Sequence, residues 1–197
     1  MNIINRLNFV RISIFTKLWT IFNRTNAYLW SIQLGKRSIF CGKAIFHKAV
    51  GSKITIGHNC MFVSNPNSRN LIGINRPCIV NTQNSKSVIQ IGNNSGFSGT
   101  VIGASVMITI GNNVNCGANT LIIDSDWHPD DPRSGEPQPV YIEDNVWLGA
   151  NVVVLKGVSI GKGTVIGANS IVTKNIPAGV MAAGNPCKVI RLLSTEN

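Results

Sequence analysis

From Ile142 onward an aliphatic residue returns at every sixth position, at Leu148, Val154, Ile160, Ile166 and Val172. Ile110, Cys116 and Ile122 keep the same interval upstream, and the next residue is often glycine, as at Gly149, Gly161 and Gly167. Related phrases recur: Ile-Thr-Ile-Gly-His-Asn at 54–59, Ile-Gln-Ile-Gly-Asn-Asn at 89–94, Ile-Thr-Ile-Gly-Asn-Asn at 108–113 and Val-Tyr-Ile-Glu-Asp-Asn at 140–145. A period of six fits neither the helix repeat nor plain two-residue alternation. It predicts a short strand, a turn and a corner with one aliphatic side chain pointing inward. Three such units make a triangular coil of 18 residues, and Ile142 to Ile160 spans 18 while Ile91 to Ile110 spans 19. A single coil cannot bury its own corners, so coils stack and parallel ladders between them satisfy the backbone.

Two stretches break the period. Ile110 and Ile142 are 32 residues apart, a surplus of 14 over one coil, and the surplus reads from His128 to Tyr141 with four prolines. Proline cannot continue a ladder, so a loop is expected to protrude at about 128–141. Segment 64–87, rich in Asn, Ser and Pro, reads as a second loop or a distorted coil. Before the repeat, Ile3, Leu7, Val10, Ile14, Leu18 and Ile21 recur at helical spacing, widened by Phe9, Phe15, Trp19 and Phe22. Residues 1–35 therefore read as a helical segment. It either caps the open first coil, the reading we favour, or lies as a basic, aromatic helix on a membrane surface. The expected organisation is this segment, a solenoid over 36–191 and a short tail over 192–197.

Composition sharpens the picture. With 26 Ile, 24 Asn and 19 Gly among 197 residues, the chain is rich in strand and turn formers. Its net charge is +10, and all eight carboxylates lie at or after Asp124, leaving twelve Lys/Arg and no acid in residues 1–123. That asymmetry points to an acidic partner such as a phosphorylated cofactor or an anionic surface. No helix-turn-helix pattern, RNA signature or finger spacing accompanies it, so nucleic acid is not expected. Five widely spaced cysteines without a C-x-x-C pair fit reduced, packed thiols in a cytoplasmic protein. The basic residues Arg6, Arg11, Lys17 and Arg24 interrupt the N-terminal apolar stretch too often for a signal core or a spanning helix.

The six-residue period, with the phrase from Ile166 to Lys174 and the phrase Ala183-Gly184-Asn185-Pro186-Cys187-Lys188-Val189-Ile190-Arg191, resembles the hexapeptide-repeat acyltransferases. The likeness is to maltose- and galactoside-type sugar O-acetyltransferases and to polysaccharide-modifying enzymes, over about residues 54–191. It implies an all-β fold, a left-handed parallel β-helix; the handedness comes from the resemblance and not from the period. It also implies acetyl-CoA as co-substrate, a sugar or glycan acceptor and a homotrimer with sites between subunits.

His128 stands at the mouth of the predicted excursion, with Asp124 and Asp126 within four residues. Imidazole suits the role of general base toward a hydroxyl, and a nearby carboxylate can orient it. The family places its catalytic His at this loop, which makes His128 the expected base. Asp126 is preferred as its support, with Asp124 as an acceptor contact, although the spacing does not separate the two. By resemblance the cofactor lies along Trp147, Gly149, Ala150, Ala168, Thr173, Lys174, Lys188 and Arg191. Here Ala150 replaces a Ser and Lys188 an Arg seen in some relatives. Ser98 is the expected acceptor contact in the preceding coil. His58 reads as a solvated corner. His47, His58 and His128 stand in unrelated positions, so no metal site is expected. Two further readings stay open: the same chemistry on an antibiotic, amine or serine acceptor, and a non-catalytic scaffold at an anionic surface.

Overall fold

The computed structural model describes residues 3–67 and 71–193; of residues 3–7 and 9 it describes the backbone alone. The side chains of Ile3, Leu7 and Phe9, and tail residues 194–197, lie outside the described residues. The chain opens with a helix, α1 (Ile3–Leu29), and then winds through six three-strand coils. The first coil holds β1 (Gln33–Leu34), β2 (Ile39–Cys41) and β3 (Ile45–His47); the second holds β4 (Lys53–Ile56), β5 (Met61–Val63) and β6 (Ile79–Thr82). The third holds β7 (Val88–Ile91), β8 (Gly96–Ser98) and β9 (Val101–Ala104); the fourth holds β10 (Met107–Ile110), β11 (Asn115–Cys116) and β12 (Leu121–Ile123). The fifth holds β13 (Val140–Ile142), β14 (Trp147–Leu148) and β15 (Val153–Val154); the sixth holds β16 (Ser159–Ile160), β17 (Val165–Ile166) and β18 (Ile171–Val172). A hairpin of β19 (Val180–Gly184) and β20 (Cys187–Leu192) ends the solenoid.

The first strands of each coil pair into one parallel sheet, the second strands into another and the third strands into another. This is the left-handed parallel β-helix. The register fixes the inward stacks: Ile91, Ile110, Ile142 and Ile160 in the first sheet, and Ile102, Ile122, Val154 and Val172 in the third. In the second sheet Phe40, Phe62 and Phe97 stack with centroids 4.9 Å apart. Asparagines turn the corners. Asn94, Asn113 and Asn145 at one corner, and Asn119, Asn151 and Asn169 at the next, take φ between 56° and 60°. That left-handed conformation is the one Asn tolerates best after Gly. Their amides also bond from coil to coil, Asn113 to Asn145 at 3.0 Å and Asn151 to Asn169 at 3.0 Å. At Gly92 a Cβ would sit 2.6 Å from the carbonyl of Gly111 in the next coil, so the stacking distance itself demands glycine there.

Segment 64–87 is only in part irregular: β6 lies within it, pairs with β3 and β9, and restores the ladder after the loop that follows β5. The helix covers the open first coil, but through its polar side. Phe40 N donates to Thr20 Oγ1 (3.0 Å), Asn23 bridges Ala44 N (2.9 Å) and Gly42 O (3.0 Å), and Arg24 reaches Gly35 O (3.2 Å). The apolar stripe that the sequence suggested would pack on the coil faces outward instead: Val10, Ile14, Leu18 and Ile21 are each more than half exposed. The physical reason lies in the coil end. An open β-helix presents unpaired backbone N–H and C=O groups, which polar side chains satisfy and aliphatic ones cannot.

Candidate active site

The excursion runs between β12 and β13, from the third sheet to the first. Its neck closes where Gln138 N donates to Asp124 O at 2.9 Å. Asp124 is fully buried, and its carboxylate accepts from the main-chain N–H groups of Ser105 (2.6 Å), Val106 (2.7 Å) and Met107 (2.7 Å). This corrects the expectation of an acceptor contact. The side chain stitches the base of the loop to the turn that joins the third and fourth coils and does not reach the surface.

Asp126 is exposed, and its carboxylate accepts from Lys156 Nζ (2.5 Å) and Gly135 N (3.0 Å). The Lys156 bond first, and the Gly135 N–H second, hold this carboxyl below the usual carboxylate range. Its bonds therefore tie the two limbs of the loop to the fifth coil. They do not orient His128, which corrects the second carboxylate expectation: Lys156, 30 residues downstream, is the stronger partner. A depressed carboxyl means the tie is complete above the ordinary Asp range and is lost only as pH falls through the lower, folded value.

His128 is exposed at the loop mouth, and its carbonyl accepts from Ser134 Oγ (2.6 Å) and Asp131 N (3.1 Å). Among the described residues, no hydrogen bond engages its imidazole. Trp127, just before it, adopts φ 63°, unusual for a bulky residue. Its ring lies against Gly103, where a Cβ would come within 2.3 Å of Trp127 Cζ2. Below His128 lies a pocket walled by Gln83, Asn84, Ser105, Ser125 and Asp126. Ser105 Oγ donates to Gln83 Oε1 (2.5 Å) and meets Ser125 Oγ at 2.9 Å. Sequence reasoning missed these wall residues. Ser105 and Ser125 are 20 apart, close to one coil, which was the available signal; Lys156 left no local one.

A second group lies on the outer face of the second sheet. Asn115, Trp147, Val165, Met181 and Arg191 fall in one register row across five strands. With strands roughly 4.8 Å apart, Trp147 and Arg191 are about 14 Å from each other. Lys188 is exposed on the same final strand. Ser98 is mostly buried and joins this group, in a groove shared with Ile72, Asn115, Gly117 and Trp147, and does not join His128. Gly149, Ala150 and Ala168 form the adjoining corner, where coil contact is tight: a Cβ on Gly149 would lie 2.6 Å from Ala168 N. Thr173 and Lys174 are exposed just beyond β18 of the third sheet. Trp147 and Arg191 in this row, with Lys188 opposite Ala183 two residues along the strand from Met181, suit a long ligand with anionic groups, since an exposed ring and two cations stand on one sheet. The expected residues thus form two groups, one at the loop and one on the second sheet.

The five cysteines are buried and free. Burial pushes the thiols of Cys60, Cys78, Cys116 and Cys187 up, which keeps them protonated and unreactive.

Residues 139–174 match the family described as bacterial transferase hexapeptide (six repeats). The chain is 50% identical over 95 residues to a galactoside O-acetyltransferase of Lactococcus lactis, covering 46% of this chain and 45% of that protein. It is 43% identical over 117 residues to the galactoside O-acetyltransferase of Escherichia coli, covering 56% and 57%. The chain thus spans about half the length of these curated relatives. A solved galactoside acetyltransferase in complex with coenzyme A superposes with a TM-score of 0.53 at 32% identity, over 74% of this chain and 66% of that one. The six-residue period, the coil register and these likenesses together make the chain similar to the hexapeptide-repeat transferases, with residues 139–174 matching that family directly.

Proposed function

We propose that the protein transfers an acetyl group from acetyl-CoA to a hydroxyl of a sugar or glycan, with His128 as general base. The observation that carries this reading is the exposed His128 at the rim of a pocket walled by hydroxyls and amides. Such walls exchange hydrogen bonds with a polyol more readily than with an apolar acceptor. The galactoside acetyltransferase relatives support the sugar class.

Acetyl-CoA supplies the activated thioester. Trp147 would flank its pantetheine arm, and Lys188 and Arg191, with Thr173 and Lys174 beyond the next sheet, would meet its phosphates. His128 takes the acceptor hydroxyl proton as the oxygen attacks the thioester carbonyl carbon. The main-chain N–H of Ala150 holds the developing oxyanion, since Ala150 offers no hydroxyl and the Gly149 N–H is committed to Ile166 O (2.8 Å) in the ladder. The tetrahedral species then collapses, the C–S bond breaks, and the imidazolium returns its proton to the leaving thiolate. The burial of all five cysteines supports direct transfer without a cysteine acyl-enzyme. The loop group and the second-sheet group occupy different faces of one chain, which supports a homotrimer whose sites draw His128 from one subunit and the cofactor lane from the next. Ser98 would meet the acceptor at that junction. Reduced thiols agree with a cytoplasmic location, and the acid-free stretch 1–123 agrees with an acceptor in surface polysaccharide or lipopolysaccharide synthesis.

The test is coenzyme A release from acetyl-CoA across free, nucleotide-linked and lipid-linked sugars, with sedimentation run alongside. Turnover on a sugar hydroxyl by a trimer is expected. Preference for an amine acceptor would overturn O-transfer, and full activity in a monomer would overturn the shared site.

Gly103→Ala probes the support beneath the base. The new methyl group collides with the Trp127 ring, which must turn out of its seat against Gly103 and gives up the support it lends the neighbouring His128. Turnover should fall about 10- to 100-fold while acetyl-CoA affinity stays unchanged. Unchanged turnover would show that the Trp127–Gly103 contact does not position the base.

A further inference from the structure

We propose that α1 docks this protein on an anionic lipid bilayer, with the helix lying in the interface plane and its outward face in the lipid. The helix spends its polar side on the solenoid: Thr16, Asn23 and Ala27 are buried, and Thr20 and Asn23 hold backbone groups of the first coil. Opposite them, Val10, Ile14, Phe15, Leu18, Ile21 and Leu29 are all more than half exposed. At 100° per residue these six fall on one arc facing away from Thr16 and Asn23. The polar side is committed to the coil, so the apolar face cannot turn inward without breaking the cap.

Charge identifies the occupant. Arg11 and Lys17 are exposed on the helix, and Lys43 of the first coil places its ammonium 5.9 Å from the Phe22 ring centroid at the edge of the face. Lys36 and Arg37 are exposed nearby on the same coil. No carboxylate occurs in residues 1–123, so nothing in this half of the chain opposes an anionic surface. The same fact argues against a second copy of this face, because two such faces would bring cations together without counter-charge. Among the described residues no helix is long and apolar enough to cross a membrane, so α1 is fitted to lie on the surface and not to span. The face also sits at the end of the solenoid, so docking leaves the loop and the second sheet uncovered. The inference stands apart from the chemistry assigned to His128.

The experiment is co-sedimentation of the full chain with phosphatidylglycerol-rich vesicles and with pure phosphatidylcholine vesicles. Binding to the anionic vesicles should exceed binding to the neutral ones at least about tenfold and weaken with added salt. Ile14→Glu with Leu18→Glu should abolish it. Arg11→Gln with Lys17→Gln should weaken it about tenfold and serves as the second variant should the first fail to fold. Coenzyme A release in solution should be unchanged in both. No binding to the anionic vesicles, or equal binding to both kinds, overturns the proposal. So does a lower sedimenting mass for the Glu variant, which would assign the face to contact between copies.

Discussion

His128→Ala should lower turnover by about two to four decades, the range in which a positioned base contributes. At 1.36 kcal/mol per decade that is about 3–5 kcal/mol of transition-state stabilisation. The imidazole is exposed and, among the described residues, bonded to nothing, so its removal should leave the melting temperature in place. Acetyl-CoA affinity should hold as well, because Trp147 and Arg191 lie on another sheet. A kcat loss with constant cofactor Kd is the signature of an interaction made only in the transition state. Asp126→Asn is the informative companion. If the carboxylate oriented the imidazole, the two variants would lose comparable activity. Its bonds go to Lys156 and Gly135, so the loss should be smaller and should be matched by Lys156→Met, which cuts the same tie. Stopped-assay turnover at saturating acetyl-CoA separates these cases, and retained turnover in His128→Ala removes the residue from the mechanism.

The contrast between these carboxylates shows what the sequence made legible. The coil was readable because each corner obeys one local rule repeated many times: Ile110, Ile142 and Ile160 are each 1% exposed or less, six-residue period and register agreeing throughout. The excursion was readable because four prolines cannot ladder. What failed were choices between neighbours whose answer lies on another coil. Asp124 and Asp126 look equivalent two residues apart, yet one meets three N–H groups where the third coil passes into the fourth and the other a lysine of the fifth. The pocket wall of Gln83, Ser105 and Ser125 likewise comes from three successive coils, and no short motif spans it. The helix was visible, but its orientation was not. Hydrophobic periodicity says which side is apolar, and only the exposed backbone of the first coil decides that the polar side goes in. At the same time Gly149, expected beside the cofactor, is required by coil stacking whatever binds there.

Asp124→Ala should be the most destabilising single change at the site, by about 3–5 kcal/mol. The estimate rests on three main-chain donors, those of Ser105, Val106 and Met107, left in a fully buried place with no acceptor, at about 1–3 kcal/mol each before partial rescue by water. For a chain of this size the melting temperature should fall by about 10 °C or more. Asp124→Asn keeps the shape and one carbonyl oxygen but turns an N–H2 group toward a donor, so its loss should be intermediate. The pattern distinguishes a structural stitch from an acceptor contact. A stitch predicts a fall in melting temperature with acceptor KM unchanged well below the transition, whereas a contact predicts the reverse. Thermal unfolding of the three proteins, paired with acceptor titrations at low temperature, reads both quantities. An alanine variant melting within about 2 °C of the parent, roughly 1 kcal/mol or less, would return Asp124 to the substrate side and detach the loop neck from the coil beneath it.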